Sequence, residues 1–460
     1  MIAASRAALP WRLYAIEALT ATGTSLMVAG IFFYTLHQYG WGLKQNFTLA
    51  AGQGAVYIVG AMAAGALTRR LGQARLLAIV YLIMALLPLA ALGPRHAGPV
   101  AVLLLAYSGV SAVGWPIIES MVSTGVSPGE LSRRQSMYNL IWSIVGVGAM
   151  AIDGSLIEYW PAGVFVVPGL VHAMAAAMLW RGRKLEEAAQ RSTVGPEGER
   201  RGRITSAVET NVRHDRIDPN CFAPARSSAP AASVSSRASA SAPGAPSTSA
   251  IDPPSQLLRV RVLALWLSRV ALPATYIVIF SLMALMPSLP VMQKLGAARQ
   301  TLVCSAWMAS RTLIFVILGM TIWWHSRPRL LVLAAVIMLA AYFGVTVRPS
   351  DLVGHGSPAI DLASMLAWQL VLGAALGLVY SASLYFGMVL SEGSTDHGGY
   401  HEALIGVGFV LGPGIGALAQ TLRPGSMYAG IVAVGALVGL SVIAVAITSI
   451  IGARVNRRRE

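Results

Sequence analysis

Apolar and polar positions along this chain fall into long blocks. Six apolar runs precede residue 181, near 13–37, 47–68, 74–93, 100–124, 136–158 and 161–180. Six more follow residue 258, near 263–287, 300–324, 329–347, 360–390, 400–422 and 427–452. A helix needs about 20 mostly apolar residues to cross a bilayer, so the pattern predicts twelve membrane-spanning helices. The run at 360–390 exceeds that length and predicts a helix that kinks or projects beyond the membrane. The first run contains Glu17, is long enough to span, and lacks an obvious small-residue cleavage site. It reads as a retained helix and not as a secretory signal.

Between the two sets of runs the material changes. Residues 186–257 begin charged ("EEAAQRSTVGPEGERRGRI") and continue rich in Ala, Ser and Pro. Such a stretch cannot bury enough apolar surface to offset its chain entropy, which predicts a disordered linker. Three parts follow: a six-helix bundle over 1–185, the linker over 186–257, and a second six-helix bundle over 258–460.

Composition agrees with lipid as the main solvent. The 460 residues are 55% hydrophobic and 12% charged, against about 25% charged in soluble domains. The net charge of +15 is explained by topology and not by nucleic acid, because basic residues are retained on cytoplasmic loops. With the N-terminus inside, the inside segments carry 26 Lys and Arg and the outside loops carry 6; without the linker the count is still 13 to 6. Both termini are therefore expected in the cytoplasm. Arg outnumbers Lys 31 to 3, a bias that points to a bacterial chain and so to the bacterial inner membrane. The two cysteines, Cys221 and Cys304, form no disulfide framework or metal motif.

Two stretches share a skeleton 254 positions apart. "GALTRRLGQARLL" from Gly65 and "GMTIWWHSRPRLL" from Gly319 align without a gap, pairing Gly65 with Gly319, Arg75 with Arg329, and Leu76-Leu77 with Leu330-Leu331. Each lies between the second and third run of its own half. The fifth and eleventh runs also align, at Tyr138/Tyr400, Gly146/Gly408, Gly154/Gly416 and Leu156/Leu418. The chain is a pair of parallel six-helix repeats.

On these residues the sequence resembles the major facilitator superfamily. That family's loop motif is matched by Gly65, Leu67, Arg70, Gly72 and Arg75, but its acid at the fifth position is replaced by Arg69, and by Trp323 in the second half. In the family that acid looks like part of a charge latch between the halves, so the resemblance here leaves the latch without its acid. "GVGFVLGPGIG" in the eleventh run is similar to a Gly-Pro motif that some members carry in the fifth. The resemblance implies an all-α membrane fold of twelve helices in two pseudosymmetric bundles.

Physical chemistry assigns roles to the retained residues. Glycine suits a tight turn with positive φ or close backbone approach, and the loop arginines anchor at headgroups and fix topology. Gly408, Gly412 and Gly416, spaced by four, make a smooth face for helix packing. Pro413 frees a backbone carbonyl and permits a kink, so the segment packs or hinges.

Ionisable groups within a bilayer cost about 2.5–3.5 kcal/mol at a helix centre and so point to function. Arg311 is central in the eighth run and suits either an anionic group or a structural tie to backbone carbonyls or an acid. Glu119 in the fourth run is either a proton-coupling carboxylate or half of a gate ion pair with Arg133 or Arg134. Asp153 lines a cavity or packs. His401 and Glu402 open the eleventh run, where Glu402 gains from the helix dipole near the cytoplasmic interface.

The resemblance also implies a cavity lined by the first, fourth, seventh and tenth helices. Their polar midsections are Thr22, Thr24 and Ser25; Tyr107 and Ser108; Thr275 and Tyr276; and Gln369, Tyr380, Ser381 and Ser383. Gln53, Tyr57 and Trp307 lie at levels close to Arg311. Aromatic rings with a few hydrogen-bonding groups suit a small organic ligand.

No nucleotide loop, metal helix or nucleophile elbow is present, so neither enzyme activity nor a cofactor is expected. The expected function is secondary active transport of a small organic molecule by rocking halves. Glu119 and Asp153 are the candidates for proton coupling, and a monomer is expected. The rival class is a non-transporting sensor or scaffold that keeps the fold and signals through the linker.

Overall fold

The structure, a computed structural model, describes residues 2–94, 96–125, 128–193, 253–354, 357–391 and 394–457. No strand occurs among them. Among these residues, twelve helices are long and apolar enough to cross a membrane. In the first half the spans are α1 (Trp11–Tyr39), α2 (Leu43–Leu71), α3 (Gln73–Ala90), α4 (Ala97–Ser123), α5 (Glu130–Tyr159) and α6 (Gly163–Gly182). In the second they are α7 (Leu258–Ser288), α8 (Ala297–Met320), α9 (Arg329–Thr346), α10 (Pro358–Ser391), α11 (Thr395–Leu422) and α12 (Met427–Val455). All twelve expected runs thus appear as helices.

Helix continues past α6 to Thr193 and begins ahead of α7 at Pro253. The rest of the expected linker, 194–252, lies outside the described residues. The long tenth run forms one helix of 34 residues. At 1.5 Å per residue this is about 51 Å, well beyond the roughly 30 Å of hydrocarbon.

In lipid there is little hydrophobic gain from joining two helices, so close packing of small residues must do it. Two seams between the halves show this. Along α2 and α11, Gly54 lies against the backbone of Phe409 and Val410, Gly399 against Ala61, and Gly416 against the Phe47 ring. Along α5 and α8, Gly154 lies against the backbone of Ala297, Gly146 against Met308, and Gly319 against Ser136. Ser143 and Thr312 hydrogen-bond across the second seam at 2.5 Å. The most apolar stretch of α7 is 89% buried inside the protein and that of α12 only 33%. α7 is therefore central, and α12 faces lipid.

The first helix is not regular. Ser25–Gly30 form a π-helical turn inside α1, a local widening common at functional sites. The Asp153 carboxylate presses against Gly30 there, and neither of its oxygens has a hydrogen-bond partner among the described residues.

Candidate functional site

A central cavity of about 900 Å³ of empty space, part of it open to solvent, lies between the halves. Eight helices line it: Thr24, Ser25 and Val28 from α1; Tyr57 from α2; Ser111 and Trp115 from α4; Trp142 from α5; Tyr276, Phe280 and Met283 from α7; Trp307, Met308 and Arg311 from α8; Tyr380 from α10; Glu402 and Ile405 from α11. Among the described residues, helices α3, α6, α9 and α12 contribute nothing to the lining. The lining thus includes the four helices implied by the resemblance and adds the two seams.

Five of the eight expected cavity residues face this space: Arg311, Tyr57, Tyr276, Trp307 and Tyr380. Gln53 and Gln369 are fully buried away from the lining, with neither side-chain amide partnered among the described residues. Ser381 lines a separate small pocket with Gln135, Asn139 and Tyr385.

Arg311 is 5% exposed. Its guanidinium carbon lies 4.5 Å from the Trp142 ring centroid and 4.7 Å from that of Trp307. Cation–π attraction to two indoles compensates in part for lost water. Its Nε has no partner among the described residues.

Across the cavity stands an acidic group. Tyr57 donates its hydroxyl hydrogen to Glu402 Oε2 in a short hydrogen bond. A Glu119 oxygen, a Glu402 oxygen and a ring nitrogen of His401 all lie within 4.8 Å of one another. This is the one grouping of potential cation donors found among the described residues. His401 Nδ1 hydrogen-bonds with Ser383 Oγ at 3.1 Å. Glu119 is 2% exposed, and neither of its oxygens makes a resolved hydrogen bond among the described residues. Glu17, fully buried on α1, likewise makes no hydrogen bond among the described residues.

The Glu402 placement differs from the expectation of an interfacial acid. Helix α11 begins at Thr395 and not near residue 400, so Glu402 sits two turns in, about 10 Å along the axis. The polar Ser394-Thr395-Asp396 start could have revealed this. Neither Arg133 nor Arg134 reaches Glu119; Arg134 pairs with Glu130 one turn away. Arg269 on α7, which the pattern of runs did not mark out, hydrogen-bonds with His397 at 2.8 Å and lies over the Tyr400 ring.

The turn joining α2 to α3 does carry an ion pair to the other half, with the polarity of the family's latch reversed. Arg69 Nη1 donates to both Asp396 oxygens at 2.7 Å. The acid thus comes from α11 and the base from the motif's fifth position. Gly65 is where the Asp396 carboxylate sits against α2, and a side chain there would collide with it. Gly72 takes φ 78° to end α2, its N–H bonded to Thr68 O. Arg70, Arg75 and Arg329 are exposed. Of the packing residues, Gly408 and Gly412 meet α7 at Pro273 and Ile277, whereas Gly416 meets α2. Pro413 is inside α11.

A search of curated protein sequences finds no match. Among solved structures, the nucleoside transporter NupG aligns with a TM-score of 0.58 at 11% identity, covering 96% of this chain and 98% of that one. A mutant of the same transporter aligns at 0.59 and 11%, covering 96% and 99%. Likeness at that identity speaks for the fold. The sequence profile described as Major Facilitator Superfamily matches residues 13–413. With that match and the twelve helices around a central cavity, the chain belongs to the Major Facilitator Superfamily and is an integral, multi-pass membrane transporter.

Proposed function

We propose that the protein is a secondary active transporter that carries a small organic molecule by alternating access, coupled to protons at Glu119 and Glu402. The observation that carries this reading is that the two buried carboxylates come from opposite halves and meet beside the cavity. An unpaired carboxylate costs several kcal/mol away from water. Two that face each other can hold a proton between them. Separating the halves would hydrate both groups and release it, so proton occupancy differs between the two states. Such a difference is what coupling requires. Asp153, facing the π-turn of α1, stands apart from this pair and is not needed for the step.

The reading places the protein in a bacterial cytoplasmic membrane, as a monomer with both termini inside, consistent with its basic residues. It predicts that deleting residues 190–250 leaves transport intact; loss of flux would favour the sensor reading. The test uses proteoliposomes with an internal pH dye and a panel of small organic acids, amines and nucleosides, the last named for the structural neighbour. At least one compound should move protons. Glu119→Gln and Glu402→Gln should abolish gradient-driven accumulation and keep substrate counterflow. A chelator should change nothing. Proton movement unaffected by either variant would defeat the coupling scheme.

A further inference from the structure

We infer that the cavity takes a planar aromatic monoanion, its carboxylate paired with Arg311 and its ring held among the surrounding aromatic side chains. This deepens the proposed transport function and rests on the cavity being the transport site. Arg311 is a cation that the fold buries without supplying a counter-ion: no carboxylate lies within salt-bridge distance among the described residues. Its aromatic neighbours Trp142 and Trp307 lower the cost of that burial and leave its charge uncancelled.

Geometry favours a carboxylate. A guanidinium presents paired N–H donors in one plane, which match the two oxygens of a carboxylate. With the Trp142 and Trp307 rings close to its carbon and Nε unpartnered, the donor edge is what remains for a ligand. Trp115, Trp142, Tyr276, Phe280 and Trp307 supply flat apolar surface on the same cavity. Arg311 and Glu402 both line this cavity, so it carries one basic and one acidic side chain. A cationic ligand would meet Arg311 unshielded, and a neutral one would leave its charge unmatched.

The test measures binding to the full-length protein in detergent by calorimetry and tryptophan fluorescence. The probes are naphthoate, its neutral amide, the corresponding naphthylmethylammonium, and cyclohexanecarboxylate. Naphthoate should bind at least about ten-fold tighter than its amide and the ammonium, the scale of one charge-assisted contact, and tighter than cyclohexanecarboxylate, which keeps the charge but lacks the flat ring. Arg311→Met should lose at least that factor, and Arg311→Lys should retain part of it. Melting temperature checks that each variant is folded; should Arg311→Met fail to fold, Arg311→Lys and the probe series decide. Equal or tighter binding of the amide or ammonium, undiminished naphthoate binding by Arg311→Met, or no naphthoate binding would overturn the assignment. Counterflow in liposomes reads the transport step separately. Naphthoate binding without counterflow upholds the anion site and defeats transport, whereas counterflow of neutral rings without anion preference does the reverse.

Discussion

The two turns that share a skeleton, α2–α3 and α8–α9, close the same face of the bundle by different means. At the first, Gly72 adopts φ 78° and lets α2 run to Leu71 before reversing at once. At the second, Ser326 occupies the equivalent place and Pro328 follows. Proline disfavours a helical residue before it, and α8 ends early, at Met320, followed by a short 3₁₀ turn, Trp323–Ser326. The first turn reaches across to the other half with an exposed ion pair, Arg69 to Asp396. The second anchors within its own half: Trp324 donates to Leu318 O and Thr321 O, and His325 stacks on Tyr385 at 4.3 Å. What the repeat retains is the helix-packing glycine, Gly65 against α11 and Gly319 against α5. The chemistry layered on top has diverged.

If that division is correct, the largest stability effect belongs to the second turn. Trp324 is 6% exposed, and replacing a buried large aromatic by alanine costs about 3–5 kcal/mol. Trp324→Ala should lower the melting temperature of the detergent-purified protein well beyond any single change in the α2–α3 turn. A drop no larger than that of Arg69→Ala would show the aromatic cluster to be ornamental.

Next come the seams above the turns. Gly54→Leu pushes against the Phe409 and Val410 backbone, and Gly154→Leu against that of Ala297. Backbone cannot step aside as a side chain can, so each should cost about 1–3 kcal/mol through overpacking. Both should abolish transport in liposomes. If only one does, the seams are not equivalent hinges.

A pH experiment sharpens the contrast further, because residues 65–77 hold no histidine. Burial, then the Arg261 charge, holds His325 down at about 4, below the usual value near 6.5. The unfolded chain therefore binds a proton at mildly acidic pH that the folded one refuses. The associated stability is complete above about pH 6.5 and fades as pH falls toward 4. His325 is partly exposed, so the effect should be about 1 kcal/mol. Melting temperatures measured from pH 7 to 5 should fall less for His325→Gln than for the parent; parallel curves would remove the histidine from the account.

How much of this could be read in advance depends on the reach of each signal. The twelve spans were legible because lipid forces each helix to satisfy its own backbone along an apolar run, a local property. Arg311 was legible for the same reason, as a charge centred in such a run. Glu402 was not, because its depth depends on α11 starting five residues earlier, amid Thr395, Asp396 and two glycines that read as loop. Trp115 and Trp142 look like ordinary span residues until the halves are brought together. Asp153 was legible as a charge within a run, but the π-turn in α1 and its contact with that carboxylate are tertiary facts, invisible to periodicity. Reversal of the latch was hidden too. A motif read on one strand of sequence reports a missing acid, and says nothing of Asp396, 327 residues away, which restores the pair.

That reversed latch yields the smallest and most discriminating expectation. Both partners are about two-thirds exposed, and pairs so placed contribute about 0.2–1 kcal/mol. Arg69→Ala should therefore barely move the melting temperature. Under the proposed alternating access its effect should appear in the balance between states, since a bond across the halves would exist only while this face is closed. A bias of even 0.5 kcal/mol shifts a two-state ratio about two-fold. Arg69→Asp places two acids together and should open this face more than Arg69→Ala does, read as faster labelling of a cysteine introduced at Ala61. Adding Asp396→Arg restores an attractive pair and should return labelling toward the parent rate, and 0.5 M salt should shrink all of these differences. Recovery in the double variant would show that the sign of the pair is arbitrary and only its crossing of the seam matters. Failure to recover would mean that Asp396 acts through its contact with Gly65 and not through its charge.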